Sequence, residues 1–242
     1  MTTQDQINNE ESVFLSKYSS SDFEKPSVAV DLLVFTIEDG ELKIVLVKRS
    51  EHPYKGCLSL PGVFVGIDET LDNAAKRAAS EEAGLENIYF EQLYTWGGLD
   101  RDPRMRIISV SYLSLINIDK LHLSAGKRTD SVGLYPVDKL LKGELPAEIA
   151  FDHRQMIEYG RERIRNKTEY TRIAFEFLPK EFTLPQLQRV YEILLGKPLY
   201  KANFRRKLMP MIEETDRMTS GDAHRPSKFY REKTGIRRTD NE

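Results

Sequence analysis

The sequence predicts an α/β (α+β) protein in which a mixed-sheet domain precedes a smaller helical domain that ends in a β-hairpin. Two runs rich in β-branched and apolar residues flank Asp39-Gly40, a pair typical of tight hairpin turns. An alanine-rich helical segment, Leu71–Ala83, lies between these runs and further strand-like runs. After Pro179 the pattern changes to an amphipathic helix, a turn, a basic helix and two short strand-like runs. The 242 residues are therefore interpreted as two modest domains.

The first domain is predicted to contain a hairpin, one capped helix and several further strands. Thr70 or Asp68 is a suitable N-cap for the alanine-rich helix, and Gly84 is a suitable C-terminal stop. In chain order, the predicted elements are strands at Ser27–Glu38 and Glu41–Arg49, an extended segment at Leu58–Val65, the helix Leu71–Ala83, strands at Ile88–Trp96, Ile107–Ile116 and Leu134–Val137, and a short helix around Lys139–Leu141.

In the second domain, a helix, a turn, a basic helix and a hairpin follow in the order expected of a winged helix. Asn203 is a suitable N-cap for the basic helix. Pro210 is expected to end this helix because proline lacks the amide hydrogen and clashes with the preceding turn. The predicted elements are a connecting helix at Phe151–Asn166, the amphipathic helix Leu184–Leu195, the basic helix Asn203–Met209, and strands at Ile212–Asp216 and Lys228–Lys233.

Composition excludes several classes of protein. Hydrophobic residues make up 40% of the chain and charged residues 31%, so the chain can bury a core. The single cysteine excludes an internal disulfide framework and argues against a structural zinc site. Residues 1–25 are polar, without an apolar signal core, and no apolar run approaches the roughly 18 residues that cross a bilayer. The sequence therefore predicts a soluble, cytoplasmic protein with no membrane contact.

Charge is distributed unevenly along the chain. Residues 181–242 carry 13 Lys and Arg against 9 Asp and Glu, whereas the preceding 180 residues carry 23 against 29. The overall net charge of −2 thus combines a basic C-terminal segment with an acidic remainder. Such asymmetry is typical of a module that faces nucleic acid, although a solvated basic surface gives the same pattern.

Residues 62–85, GVFVGIDETLDNAAKRAASEEAGL, resemble the Nudix box. The positions that match its spacing are Glu69, Arg77, Glu81, Glu82, Gly84 and Leu85. Two positions depart from it. Val63 stands where the box has glycine, one residue after Gly62, and Ala78 replaces a box glutamate.

The replacement at Ala78 predicts that efficient hydrolysis is lost. Positions 78, 81 and 82 share one helix face, where three carboxylates would hold a divalent cation against a pyrophosphate. Only Glu81 and Glu82 remain as candidate metal ligands, and two carboxylates make a poorer magnesium site. We therefore assign no catalytic residue and expect no required cofactor, with Mg²⁺ relevant only to residual hydrolysis. Arg77 is expected to pair with Glu69 or a neighbouring carboxylate.

Beyond this motif, residues 18–235 resemble the Nudix-related bacterial transcriptional regulators typified by NrtR. The diagnostic segments are AFDHRQMIEYGRERI and FTLPQLQRVYEILLGKPLYKANFRRK, which ordinary Nudix hydrolases lack, together with DRDPRMRIISVSY. The resemblance implies a polar N-terminal arm (1–25), a Nudix-like mixed-sheet α/β/α sandwich that binds a ligand (26–150), a linker helix and connector (151–180), a winged helix-turn-helix DNA-binding domain (181–235) and a polar tail (236–242).

The resemblance implies a homodimeric repressor, most often of NAD metabolism genes, that binds operator double-stranded DNA and responds to ADP-ribose or a related nucleotide. Two alternatives stay open. Arabinose-responsive regulators have the same architecture, and the segment LENIYFEQL also fits that branch, so a pentose sugar is a second candidate effector. An active Nudix ADP-ribose pyrophosphatase is the third possibility.

Candidate site residues follow from the chemistry of the two ligands. Arginines can bind phosphate through paired N–H groups, and an aromatic ring can stack or simply pack, so the effector candidates are Arg49, Phe64, Glu81, Glu82, Arg101 and Arg104. Basic side chains on a short helix and on a wing can contact DNA, so the DNA candidates are Lys201, Asn203, Arg205, Arg206, Lys207, Arg225 and Lys228. Asn203 would either cap the helix or contact a base, and His153 is interpreted as structural.

Overall fold

A computed structural model describes residues 3–19, 21, 23–219 and 226–233. The helices are α1 (Thr3–Lys17), α2 (Leu71–Ala83), α3 (Val137–Lys142), α4 (His153–Tyr170), α5 (Leu184–Leu195) and α6 (Lys201–Leu208). The strands are β1 (Ser27–Glu38), β2 (Glu41–Arg49), β3 (Leu58–Ser59), β4 (Gly62–Phe64), β5 (Glu91–Trp96), β6 (Ile107–Leu115), β7 (Thr129–Pro136), β8 (Phe182–Thr183), β9 (Ile212–Met218) and β10 (Lys228–Glu232). Short 3₁₀ turns lie at Ile118–Lys120, Ile173–Phe177 and Met209–Met211.

The first domain is built on a mixed seven-stranded sheet. Its strand order is β3-β2-β1-β6-β5, with β4 paired to β1 and β7 paired to β2. Strands β1 and β6 run parallel, and the other pairs are antiparallel. The β1–β2 turn has positive φ at both Asp39 and Gly40, as the sequence predicted for a two-residue hairpin turn.

Helices cover both faces of this sheet, which confirms the predicted α/β/α sandwich. Helix α2 packs an alanine stripe that includes Ala74 and Ala78 onto one face. Its N-cap is Thr70, whose hydroxyl accepts the amide of Asn73, and Gly84 ends it with positive φ. Helix α4 crosses the other face, where a Cβ on Gly160 would lie only 2.6 Å from Leu33 Cδ2. A glycine is therefore needed for this close helix–sheet approach.

The C-terminal domain has the predicted winged helix order. Strands β8, β10 and β9 form a small sheet beside α5 and α6. Helix α5 begins with a capping box between Thr183 and Gln186 and ends at Gly196 with positive φ. The core beneath α4 continues into this domain through Phe182, Leu187 and Phe204, so the two domains share one apolar cluster.

Several predicted boundaries were wrong. Strand β5 begins at Glu91 rather than Ile88, β7 begins at Thr129 rather than Leu134, and α4 runs to Tyr170 rather than Asn166. Helix α1 and strand β8 were not predicted. No helix within the described ranges has the length and apolarity needed to cross a membrane.

The predicted capping role of Asn203 was also wrong. Helix α6 begins two residues earlier, at Lys201, and its N-cap is the extended residue Tyr200. Asn203 therefore lies within the helix, where its side-chain oxygen accepts a hydrogen bond from Arg206 Nη2 at 3.3 Å. Residues 198–200, which have no regular structure, lead from the turn at Gly196 into the helix, so Asn203 is not at the helix start.

Candidate functional site

A polar cleft lies where β1 and β4 meet the N-terminus of α4. Four of the six predicted effector residues line it: Arg49, Phe64, Arg101 and Arg104. It also contains residues that the sequence analysis did not assign to a ligand site: Asp31, Asp102, Arg128, Phe151 and His153. We call this site the arginine cleft.

The floor of the arginine cleft is a buried ion network. Arg101 donates to both carboxylate oxygens of Asp152, at 2.9 and 2.8 Å, and lies 3.5 Å from Asp31. Ser109 also donates to Asp31, and a Cβ on Gly62 would lie 2.4 Å from that carboxylate. The Arg101 side chain is only 5% exposed, so its guanidinium is committed to holding the start of α4 against the sheet.

His153 completes this floor as a neutral side chain. Its Nδ1 accepts the amide of Leu60 at 2.9 Å, so the remaining ring proton lies on Nε2, which faces Asp31 at 3.5 Å. Complete burial lowers the pKa of the imidazole, although the nearby carboxylates of Asp31 and Asp152 oppose that shift. These contacts are consistent with the structural role that the sequence suggested.

The rim of the cleft combines cations with aromatic faces. Arg104 lies over the Phe64 ring at 5.3 Å and donates to both oxygens of Asp102. Arg49 lies 5.0 Å from the ring centre of Phe151, a residue with φ of +56°. A non-glycine residue with positive φ is costly, and such strain clusters at functional sites.

Positive charge is crowded at this rim. Burial lowers the pKa of Arg49, and the charges of Arg104 and Arg128 lower it further. Asp102 pairs with Arg104 and Glu51 lies 3.6 Å from Arg128, so the repulsion among the three guanidinium groups is only partly offset. An anion bound between them would relieve that repulsion, and the rings of Phe64 and Phe151 offer faces for a planar group.

The two box glutamates on α2 have different surroundings. Glu81 is more than half exposed and accepts a hydrogen bond from Arg77 at 3.2 Å. Glu82 is buried, which raises its pKa against the opposing effect of Arg128 and Arg49. Glu81 and Glu82, predicted as a pair of metal ligands, therefore lie in different environments, one exposed and one buried. Within the described ranges, no group of three or more His, Cys, Asp or Glu side chains is arranged to hold a metal ion.

Arg77 has the structural role expected from the sequence. Its Nε and Nη2 donate to the two oxygens of Glu69, each at 2.9 Å, and Nη2 also donates to the main-chain oxygen of Phe64 at 2.8 Å. The hydrogen bonds from Arg77 and from the Gly66 amide lower the pKa of Glu69 to about 2. This set ties α2 to the loop that follows β4. Ala78, where the box has glutamate, is fully buried in the apolar cluster.

The second candidate site is the outer face of α6. Its polar positions are exposed, while Phe204 and Leu208 anchor it in the core. The exposed candidates are Lys201, Asn203, Arg205, Arg206 and Lys207. Lys207 also donates from Nζ to the main-chain oxygen of Glu169, in the last turn of α4, at 3.0 Å.

The hairpin of β9 and β10 carries several charge pairs. Lys228 pairs with Glu214, and Arg231 pairs with Glu213. Lys228 is thus available to DNA only in competition with Glu214. Arg225, also predicted as a DNA contact, lies outside the described residues.

Two further cleft residues, Asp31 and Asp152, are recognisable from the sequence. Asp31 is a charged residue inside the apolar run SVAVDLLVF, which is costly unless the carboxylate is paired. Asp152 directly precedes a predicted helix. Arg128 and Phe151 had no comparable signal, because the fold alone brings them to the cleft.

Comparisons with known families divide the chain in the same way. A family model described as the NUDIX domain matches residues 25–159, and one described as the NrtR DNA-binding winged helix domain matches residues 174–231. The predicted order of domains is therefore confirmed at the level of both families.

Known proteins match most of the chain. An "ADPR responsive transcriptional repressor NtrR" from Acinetobacter baylyi is 35% identical over 91% of this chain and 88% of its own length. The crystal structure of Shewanella oneidensis NrtR with a 27mer DNA matches at 34% identity with a TM-score of 0.72, covering 85% of this chain and 93% of that one. The NUDIX domain of the same protein, crystallised with ADP ribose, matches at 33% identity with a TM-score of 0.57, covering 63% of this chain and 97% of that one.

Proposed function

Because the chain belongs to the family of Nudix-related transcriptional regulators typified by NrtR, we propose that it represses transcription by binding operator DNA and that ADP-ribose controls this binding. One observation carries the proposal. A single helix, α4, begins in the arginine cleft and ends against α6, so an effector site and a DNA-binding helix are joined by one element. We assign effector binding to the cleft and DNA binding to the winged helix domain.

The cleft suits a nucleotide diphosphate better than a neutral sugar. Arg49, Arg104 and Arg128 present positive charge that an anionic diphosphate would neutralise. Phe64 and Phe151 supply ring faces for an adenine. Arg101 would act through its two hydrogen bonds to Asp152 rather than by binding a phosphate group directly. Glu82 does not line the cleft, but it interacts electrostatically with Arg49 and Arg128 at the rim and would influence the effector through them, whereas Glu81 stays with Arg77.

We propose that the effector is bound without being turned over. Ala78 removes one of three carboxylates, and Arg77 engages Glu81. Mg²⁺ is then not required for effector binding, and any residual hydrolysis would depend on it. Steady-state turnover of ADP-ribose at ordinary enzyme rates, about 1 s⁻¹ or more with Mg²⁺, would contradict this part of the proposal.

For DNA, we propose that two copies of the chain place α6 in successive major grooves of a pseudo-palindromic operator. Lys201, Arg205 and Arg206 would contact phosphates or bases directly. Asn203 lies on the same helix and would join them. The ammonium of Lys207 has three N–H donors, so it would contact DNA while keeping its bond to Glu169. We propose that the protein is cytoplasmic and that its targets are genes of NAD metabolism. Because binding linkage is reciprocal, DNA must change the affinity for ADP-ribose by the same factor by which ADP-ribose changes the affinity for DNA.

The DNA assignment is tested by replacing both Arg205 and Arg206 with Ala. Each lost phosphate contact should reduce the slope of log affinity against log salt by about 0.9, so the double variant should lose roughly two units of slope. The matched control replaces Lys76 and Lys142, exposed cations of the Nudix-like domain, with Ala. If both double variants change operator binding equally, α6 is not the recognition helix.

The effector assignment is tested by thermal shift. A ligand that binds only the native state stabilises by RT ln(1 + [L]/Kd), so ADP-ribose should raise the melting temperature while arabinose should not. Arg49→Met should reduce the ADP-ribose shift because it removes one of the crowded cations. A shift with arabinose alone would favour the pentose-responsive alternative.

A further inference from the structure

The loop that joins β2 to β3 brings a further aromatic side chain to the rim of the arginine cleft. Tyr54 lies in this loop and is 41% exposed. Its ring contacts the cleft residue Phe151 edge to face, with the ring centres 4.8 Å apart and the planes at 66°. The two rings therefore form a corner next to the opening. Tyr54 is not among the predicted effector residues.

Both rings of this corner project from an unusual backbone conformation. The φ angles of Tyr54 and Phe151 are +59° and +56°, in the left-handed region that large side chains rarely adopt. In the described part of the chain, the other non-glycine residues with positive φ are Asp39 and Asn87, which are residue types that tolerate this region. Strain at two aromatic residues in mutual contact indicates a constraint on where their rings lie, and such strain clusters at ligand sites.

Arg49 holds the loop that carries Tyr54 at the cleft. Its Nε donates to the main-chain oxygen of Pro53, the residue directly before Tyr54, at 2.8 Å. The main-chain oxygen of Arg49 accepts the amide of Gly56, also at 2.8 Å. The same guanidinium lies 5.0 Å from the ring centre of Phe151. A phosphate group bound at Arg49 would therefore lie near the ring corner.

The Tyr54 ring offers a face that no cation covers. At the rim, Arg104 lies 5.3 Å from the ring centre of Phe64, and Arg49 occupies a face of Phe151. Among the described residues, Phe151 is the only ring in contact with Tyr54, and no guanidinium or ammonium group lies over the Tyr54 ring. A planar heterocycle can stack on such an open face.

We propose that Tyr54 stacks on the base of the effector and makes the arginine cleft selective for nucleotides. This inference rests on the proposed effector function of the cleft. The diphosphate lies at the rim arginines, and the base lies against the open face of Tyr54. Phe151 contacts the Tyr54 ring from the side and fixes its position. The ring placement explains why a tyrosine stands at a backbone position that would suit glycine better.

Isothermal titration of the full chain, free of DNA, tests this role with ADP-ribose and with inorganic pyrophosphate, which has no base. Tyr54→Ala should weaken ADP-ribose binding roughly tenfold, as expected for the loss of one stack between a base and an aromatic ring. The same variant should leave the affinity for pyrophosphate unchanged. Tyr54→Phe keeps the ring and should bind ADP-ribose like the parent.

A glycine substitution separates the ligand contact from the stability of the loop. Tyr54→Gly should melt at a higher temperature than Tyr54→Ala, because glycine adopts positive φ without strain, yet it should weaken ADP-ribose binding to the same extent. The matched control is Asn87→Gly, which changes another residue with positive φ, +55°, that does not line the cleft. This control should bind ADP-ribose like the parent.

The outcomes separate this inference from the proposed function. If the parent does not bind ADP-ribose, both are wrong. If the parent binds it, the role of Tyr54 alone is overturned by any of four results: Tyr54→Ala binds ADP-ribose like the parent, Tyr54→Phe loses as much affinity as Tyr54→Ala, Asn87→Gly weakens binding equally, or pyrophosphate loses affinity by the same factor as ADP-ribose.

Discussion

Replacement of Arg101 by Met tests whether the floor of the arginine cleft is the buried ion network described above. The substitution keeps an unbranched side chain of similar length and removes only the guanidinium. Asp152 and Asp31, with side chains 15% and 9% exposed, would then lose their cation while staying largely out of water. Unpaired buried carboxylates are strongly destabilising because the protein no longer compensates their lost hydration.

The expected loss is large because of this burial. Removing one partner of a buried ion pair costs about 3–5 kcal/mol of the free energy of unfolding. For a chain of this size each kcal/mol lowers the melting temperature by about 2–4 °C, so a fall of roughly 6–20 °C follows. Lys139→Met is the matched control. Lys139 pairs with Glu41 at 2.9 Å, but both side chains are at least 40% exposed, so its loss should cost less than about 1 kcal/mol.

Urea unfolding followed by tryptophan fluorescence measures this directly. Trp96 is the only tryptophan and lies on β5, so its emission reports on the Nudix-like domain. In a double-mutant cycle, Asp152→Asn should cost less in the Arg101→Met background than in the parent, because the interaction is already absent. If Arg101→Met and Lys139→Met destabilise the chain to the same extent, the reasoning about this network is refuted.

Three further predictions concern single positions. Gly160→Ala should lower the free energy of unfolding in urea by roughly 1–2 kcal/mol. The added Cβ would lie 2.6 Å from Leu33, and this clash outweighs the gain of about 1 kcal/mol in helix propensity. A net stabilisation would contradict the close approach. His153 has a lowered pKa when folded, so its contribution to stability is complete above about pH 6.5 and is lost as the pH falls below it. The free energy of unfolding of His153→Asn should therefore change less between pH 7 and 5 than that of the parent. If the two depend on pH in the same way, groups other than His153 cause the acid sensitivity. Ala78→Glu should lower the melting temperature without creating Mg²⁺-dependent ADP-ribose hydrolysis, because position 78 is packed in the core and Arg77 engages Glu81. Formation of AMP and ribose 5-phosphate from ADP-ribose by this variant would show that Ala78 alone disables the site.

Local signals in the sequence placed several elements correctly, whereas the sandwich itself was predicted from the family resemblance. The Asp39-Gly40 turn, the caps at Thr70 and Gly84, and the helix Leu184–Leu195 lie where expected, since each depends on neighbours in the chain. Strand β5 was extended too far towards Ile88 because an apolar pattern does not reveal where the partner strand ends.

The cleft was harder to predict, because its chemistry depends on contacts between distant segments. Arg101 was interpreted as a phosphate ligand, yet it contacts Asp152, which is 51 residues away. Arg128 and Phe151 reach the rim only through the packing of β7 and α4. A sequence pattern identifies residue types suited to a ligand, but it does not show which of them are already committed to one another.

Helix α4 also determines how a small change could be amplified. Its 18 residues span about 27 Å, from Asp152 at the ion network to Glu169, whose carbonyl holds Lys207 of α6. A rotation of about 5° around the buried N-terminus would swing the far end by roughly 2 Å. That arc exceeds the difference between a hydrogen bond of 2.9 Å and a broken one of 3.6 Å. A tilt of a few degrees about the cleft would thus suffice to break the hydrogen bond between Glu169 and Lys207.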